Sequence, residues 1–409
     1  MSVDLSPNST ADANSCVVPM LDSSSMSLYT NRLCSVTPCS SSPAASFEKG
    51  LLKQLCIHSG QGDYNVDFFS ELDSLLEELK LLEECFIIVD PTVCELYPDF
   101  FARLKNFPVH FAPALESEKT LAGVERFLGF LQKENATKKS KILAIGGGVI
   151  QDIATFTAHI YYRGISWIYV PTTLLSMADS CIGAKCGINL NTFKNQLGFF
   201  QSPQRVMISE KFLSTLSTSD LRSGYGEILK LFLIDGEEAF LTLKTEIDKH
   251  GFCNAMLSVF IKKSLQIKKN IIEQDEYESD LRRILNYGHT FCHSLETITH
   301  HAVSHGLAVA WGVDIANYVS MKKGFLSEFH YRMIHDFIAK YFHSELPCSF
   351  SVVDLINGMK RDKKAVSGNI NLILLRQPGD PRIVMTPFDT ELEIIMRNYV
   401  NSENIFSWH

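Results

Sequence analysis

Between Cys85 and Ser209 the chain repeatedly sets a short apolar run against a longer amphipathic one, and after Lys211 it stops doing so. The runs CFIIVD (Cys85–Asp90), VHFA (Val109–Ala112), KILAI (Lys141–Ile145), ISWIYV (Ile165–Val170) and RVMIS (Arg205–Ser209) read as short buried strands. Glu95–Asn106, Ser117–Asn135 and Val149–Tyr161 read as helices between them. Such alternation implies a parallel sheet covered by helices. Upstream, LLKQLCIH and YNVDFF flank SGQGD as two strands and a turn. Downstream, long helical patterns take over at Ser219–Leu233, Glu237–His250, Ala255–Asp275, Asp280–Thr299, His305–Lys323 and Glu328–Phe342. Two late strands, NINLILLR and RIVM, precede a last helix, Thr390–Ser402. The expected organisation is an α/β domain over residues 47–210 and a mainly α-helical domain over 211–409, with the site in the cleft between them. Residues 1–46 are rich in Ser, Thr, Asn and Pro, contain one basic residue, Arg32, and read as a disordered tail.

A net charge of −8 argues against general nucleic-acid binding, which needs a basic surface. No apolar run approaches the ~20 residues that span a bilayer. The eleven cysteines are scattered, odd in number and without a CxxC pair, as expected of reduced thiols inside a cell. No basic region followed by an apolar one opens the chain, and Asp4, Asp12 and Asp22 weigh against a transit peptide. A cytoplasmic protein is expected.

Three groups of residues carry chemistry. GGGVIQD (Gly146–Asp152) follows a strand and opens a helix, where glycine backbone and helix N-terminus suit a pyrophosphate; a tight turn needing positive φ explains it equally well. Asp90 ends an earlier strand, where an acid accepts from a ribose hydroxyl, and Glu116 and Lys119 follow another strand end. Arg163, Lys185, Lys194 and Lys230 gather near element ends beside Asp179 and Asn195, a set suited to a phosphorylated, carboxylated or polyhydroxylated substrate. Asn286–Gly306 holds five of the thirteen histidines. His289, His293 and Glu296 share a helix face, a spacing that chelates a divalent metal, with Glu227 and His305 as further donors. His300 and His301 read as surface residues.

In order, the motifs GGGVxxD, RG, PTTLLxxxDSxxGxKxxxN, KN, GxxExxK, RxxLNxGHTxxHxxE, HG and DKK make the chain resemble the sugar phosphate cyclases, most closely the 3-dehydroquinate synthases, over roughly residues 50–380. The resemblance implies a Rossmann-like NAD-binding domain followed by a helical metal-binding domain. It puts NAD contacts on Asp90, Glu116, Lys119, Gly147, Gly148, Asp152, Thr172, Thr173, Phe212, Thr215 and Leu216, with Gly146, Asp179, Lys185 and Lys194 bordering the cofactor. Zn²⁺ or Co²⁺ falls to Glu227, His289 and His305. Substrate contacts fall on Asp179, Lys185, Asn195, Lys230, Lys268, Arg282, Asn286, His293 and Lys363 or Lys364, and Arg163 is expected from the neighbouring subunit of a homodimer. The implied substrate is a phosphorylated seven-carbon sugar acid. Its conversion to 3-dehydroquinate runs through transient oxidation by NAD⁺, loss of phosphate, return of the hydride and an intramolecular aldol closure. Gln151, Cys181, Ala184 and Cys186 stand where the synthases usually have Gly, Ser, Gly and Thr. A valiolone-type cyclase acting on sedoheptulose 7-phosphate is therefore an alternative, and a metal-dependent polyol dehydrogenase of the same fold is another.

Overall fold

A computed structural model describes residues 53–409 except 192, 253–254, 301, 346–350, 361–364, 367, 403–405 and 408–409. The expected tail, 1–46, together with His301, Lys363 and Lys364, lies outside the described residues. Seven strands form the main sheet: β1 (Gln54–Ile57), β2 (Tyr64–Phe68), β3 (Cys85–Val89), β4 (Val109–Phe111), β5 (Lys141–Gly146), β6 (Ser166–Pro171) and, beyond a separate hairpin of β7 (Lys185–Leu190) and β8 (Phe193–Phe200), β9 (Arg205–Ile208). Their order is β1-β2-β9-β6-β5-β3-β4, parallel throughout except for β1 against β2. Central strands of such a sheet are covered on both faces, which is why β3 is buried along its whole length.

The first helices are α1 (Leu72–Lys80), α2 (Pro91–Leu96), α3 (Pro98–Ala102), α4 (Leu121–Lys133) and α5 (Gly148–Ile160). The single helix expected over Glu95–Asn106 is instead the α2/α3 pair. Pro98 has no N–H to continue the ladder, and Tyr97 before it leaves helical geometry at φ −129°, ψ 54°. The helical layer comprises α6 (Thr218–Asp235), α7 (Glu237–His250), α8 (Leu257–Ile272), α9 (His289–Ile298), α10 (His305–Lys322), α11 (Glu328–Tyr341), α12 (Val352–Lys360) and α13 (Thr390–Ser402). Helix α10 is buried from Gly306 to Ser320 and forms the core of this layer, apolar nearly all round as a central helix must be. The helix expected over Asp280–Thr299 is broken. A 3₁₀ turn occupies Leu281–Asn286, and α9 starts only after Gly288, whose φ of +78° reverses the chain. The late strands, Asn369–Leu375 and Pro381–Pro387, pair antiparallel.

Candidate active site

Two close helix contacts build the centre of the site. A Cβ on Gly226 of α6 would overlap the Gly306 carbonyl at the start of α10, and one on Gly306 would overlap the Ser223 carbonyl. Glycine at both positions lets the helices meet backbone to backbone. Each glycine adjoins a metal-ligand candidate, Glu227 or His305, so the approach of the helices sets the approach of the side chains. Gly288 and Gly312 repeat the device, for a Cβ on Gly312 would overlap the Gly288 carbonyl, and His289 follows Gly288. As a result Glu227 Oε1 lies 3.0 Å from His305 Nε2 and 3.6 Å from His289 Nε2. The three donor atoms all fall within 4.8 Å of one another.

Two of the three stand ready for a cation, and the third, His305, binds one by giving up a proton. Burial lowers the His289 pKa to about 4, against the pull of Glu227, so its ring is neutral. Its Nδ1 lies 3.2 Å from the Tyr287 carbonyl, where Nδ1–H donates and leaves the Nε2 lone pair facing Glu227. Burial opposes a charge on His305, but Cys292, Glu227 and Glu296 outweigh it and hold its proton well above the usual range. Burial likewise opposes the Glu227 charge, and Lys230 and the two histidines overcome it. Glu227 Oε2 is buried without a directed hydrogen bond, although Lys230 Nζ lies 2.5 Å away. Two imidazoles and a carboxylate match the three-donor sets that bind catalytic zinc.

Beside this trio, a single wide helical turn, Ser176–Ser180, presents Asp179. Asp179 is held between Lys230 (3.4 Å from Oδ2) and Lys268 (2.7 Å from Oδ1), and Lys268 also donates to the Asp179 carbonyl at 2.7 Å. Burial raises the Asp179 pKa, but the two lysines more than reverse it and keep the carboxylate charged. Gln151 pins the same turn from α5, donating to the Ser180 carbonyl and accepting from its hydroxyl, both at 2.7 Å.

On the sheet side, Gly146 ends β5, Gly147 caps α5 and Gly148 faces open space, so the first-turn N–H groups of a thirteen-residue helix are approachable. Thr172 and Thr173 follow β6 at the same sheet edge. Asp90 caps α2 through a 3.1 Å bond from Thr92 N. Glu116, Lys119 and Asp152 form a network. Lys119 Nζ is 2.9 Å from Asp152 and 3.6 Å from Glu116, and Glu116 accepts from Asn189 at 2.8 Å. Phe212 is buried edge-on to Tyr97, whose hydroxyl reaches Thr215 at 3.0 Å; Leu216 closes that 3₁₀ turn. These residues line the strand ends where open α/β sheets bind dinucleotides, and they fit that group.

Lys185 and Asn286 meet on an acid, Glu278, that no sequence motif marks. Glu278 pairs with Lys185 through one oxygen and accepts from Asn286 through the other. It sits at φ +61° in the loop before Arg282. Arg282 is 2% exposed, donates to the Gly183 carbonyl at 2.7 Å and to the Glu276 carbonyl, and lies 5.7 Å from the Phe200 ring. Ala184, next to Lys185, has φ +60°, a conformation glycine adopts without cost. Asn195 is exposed on β8 at φ +50° with its N–H bonded to Asn189. The His293 ring lies 5.6 Å from that of His289. Lys194 is paired at 3.1 Å with Glu296. Glu296 does not join the trio; its Oε1 is 3.3 Å from His305 Nδ1. Arg163 is exposed in the turn before β6, at the sheet edge opposite the glycine turn, with the thirteen residues of α5, about 20 Å of helix, between them.

Profiles of the 3-dehydroquinate synthase N-terminal and C-terminal regions match residues 109–223 and 224–365. The chain is 35% identical over 316 residues to the 3-dehydroquinate synthase of Campylobacter jejuni subsp. doylei, covering 74% of this chain and 89% of that one. It is 38% identical over 335 residues to that of Alkaliphilus metalliredigens, covering 80% and 94%. Among solved structures it is similar to 2-epi-5-epi-valiolone synthase from Streptomyces hygroscopicus subsp. jinggangensis with NAD⁺ and Zn²⁺ bound, with TM-score 0.74, 25% identity, and 84% of this chain and 98% of that one covered. The two profile matches and the identity to these relatives show that the chain belongs to the 3-dehydroquinate synthase family.

Proposed function

We propose that the chain converts 3-deoxy-D-arabino-heptulosonate 7-phosphate to 3-dehydroquinate and phosphate. The observation that carries this reading is the contact of two functions in one site. The Glu227–His289–His305 trio shares Lys230 with Asp179, while Lys185, Asn286 and Arg282 gather around one carboxylate nearby. Bound NAD⁺ supplies a hydride acceptor, and Zn²⁺ or Co²⁺ on the trio supplies a Lewis acid. Asp179, kept charged by Lys230 and Lys268, accepts a substrate hydroxyl hydrogen bond and orients the ring. Lys185 and Asn286, now satisfied by Glu278, take a substrate anion in its place. Arg282 steadies the Gly183 loop beside them, and His293 and Asn195 border the same space. Lys363 or Lys364 completes the lysine set.

The enzyme acts as a homodimer in this reading. Arg163 lies at the far sheet edge of its own subunit, so a second copy is the natural way to bring it to the substrate. The residues divide into an NAD-binding part, 47–210, and a metal-binding part, 211–409. Free thiols at Cys85, Cys181, Cys186 and Cys292 support a reducing, cytoplasmic setting, and no described helix is long and apolar enough to cross a membrane.

The test is phosphate release from the heptulosonate phosphate with NAD⁺ in trace amount, Zn²⁺ present and no net NADH. A second reading, a valiolone-type cyclase, draws on the non-glycine Ala184 at φ +60° beside Lys185. Phosphate release from sedoheptulose 7-phosphate and none from the heptulosonate would select it. Net NADH from a polyol would select a dehydrogenase.

A further inference from the structure

His289, His293 and Glu296 share one face of α9, yet the structure gives them different work. Glu296 is 3% exposed and touches no trio atom except through His305. Its Oε1 lies 3.3 Å from His305 Nδ1 and 3.1 Å from Lys194 Nζ. The other ring nitrogen, Nε2, faces Glu227 at 3.0 Å. Cys292 Sγ is a looser neighbour of Nδ1 at 3.8 Å.

An imidazole can bind a metal through Nε2 only when its proton sits on Nδ1, and that proton needs an acceptor. For His289 the acceptor is a neutral carbonyl, that of Tyr287. For His305 it is a buried carboxylate, which fixes the tautomer more firmly and makes the ring a stronger donor. Glu296 in turn is charge-balanced by Lys194 on β8, a strand of the hairpin that also carries Lys185 and Asn195.

We infer that Glu296 is the positioning residue for the metal ligand His305, and that Lys194 ties this positioning to the β7–β8 hairpin. The inference rests on the proposed metal role of the trio. Its consequence is that the metal centre feels the hairpin through a Lys194–Glu296–His305 chain, without Lys194 touching the metal.

The experiment measures Co²⁺ affinity of the full-length protein by competition with a chromophoric chelator, and folding by thermal unfolding in parallel. Glu296→Ala is expected to weaken Co²⁺ binding about 10- to 100-fold, the range for lost outer-sphere partners, with the visible Co²⁺ spectrum altered. Glu296→Gln restores part of the affinity, because its side-chain carbonyl still accepts from Nδ1–H. Lys194→Met weakens binding several-fold in the wild-type background and has no further effect once Glu296 is alanine, since the lysine acts only through the acid. Wild-type affinity in folded Glu296→Ala, alongside loss of binding in Glu227→Ala, would overturn the inference and leave the trio standing. Additive Lys194 and Glu296 effects would break the proposed chain. Unchanged Co²⁺ binding in Glu227→Ala would remove the trio itself and the inference with it.

Discussion

The metal end and the anion end of the site are built on opposite plans. Glu227, His289 and His305 converge from α6, the start of α9 and the start of α10, and two glycine-to-glycine backbone contacts leave them no room to drift. The anion end is held by a side chain on a loop. Lys185 is about half exposed, with a side-chain relative accessibility of 46%, and its partner Glu278 stands in left-handed backbone conformation with its two oxygens given to Lys185 and Asn286. A carboxylate in that position resembles the substrate group the residues are proposed to bind. The contrast sets donors fixed by backbone contact against a lysine and an amide that are satisfied internally by a loop carboxylate, which in the proposed function a ligand anion replaces.

The largest effect that could break this contrast is at the fixed end. Glu227→Ala removes the donor shared by both histidines and leaves Lys230 without its nearest counter-charge. Metal content after dialysis should fall to background, and turnover with it by more than the roughly 100-fold attached to outer-sphere losses. A variant that keeps stoichiometric metal would mean that the trio is a structural ion cluster.

Next in size is Gly226→Ala. The added methyl has nowhere to go except into the Gly306 carbonyl, so α6 and α10 must separate. Overpacking of this kind costs about 1–3 kcal/mol. Urea midpoints should drop accordingly and metal affinity should fall together with them. Full metal affinity at reduced stability would show that the ligands tolerate separation and that the fixed end is less fixed than its glycines suggest.

These two ends were not equally readable from the residues alone. Helical spacing singles out His289 with His293 and Glu296, and only the family resemblance narrows the set to Glu227, His289 and His305; α7 and α13 are found at the boundaries the pattern gives. The breaks were harder. Pro98 and Gly288 interrupt stretches whose apolar spacing runs through them, and backbone geometry overrides periodicity at both. The β7–β8 hairpin carries glycines and lysines where strands usually carry branched apolar residues, and no strand was expected there; nor was α12. Glu278 looks like any loop acid, since its partners lie 93 and 8 residues away. Glu296 was visible as a chelating candidate, but its true neighbour, His305 Nδ1, depends on how α9 packs on α10. The Pro-Thr-Thr and Asp-Lys-Lys motifs were legible only through family resemblance, and the second lies outside the described residues.

At the replaceable end the expected effects are smaller and differ in sign. Lys185→Ala should raise KM about 10- to 100-fold with little change in thermal stability, as for loss of one charge-assisted contact worth about 1.5–3 kcal/mol. Glu278→Gln should act the other way on anions. Removing the internal carboxylate frees Lys185, and inorganic phosphate should inhibit or bind several-fold more tightly by calorimetry. Weaker phosphate binding in Glu278→Gln would show that the acid orients Lys185 for substrate, and the two-plan contrast would then need redrawing.

The smallest effect sharpens the fixed end by pH. In metal-free protein His289 titrates near pH 4, lowered from 6.5 by burial. The unfolded chain therefore takes up a proton between about pH 6.5 and 4 that the folded chain refuses, and stability falls as pH drops through that window. His305 is the reverse case. Burial opposes its charge, but Cys292, Glu227 and Glu296 hold the proton above pH 6.5, so its contribution is complete below 6.5 and drains away as pH rises through the folded value. Each proton sets a slope of at most about 1.4 kcal/mol per pH unit. The trio's share of stability should accordingly peak near pH 6.5. Urea midpoints of metal-free protein across pH 4–9 check this: His289→Asn should flatten the acid side alone, and His305→Asn the alkaline side alone. If both variants flatten the same side, the two rings share one proton, and the asymmetry between the Tyr287 carbonyl and the Glu296 carboxylate does not govern the trio.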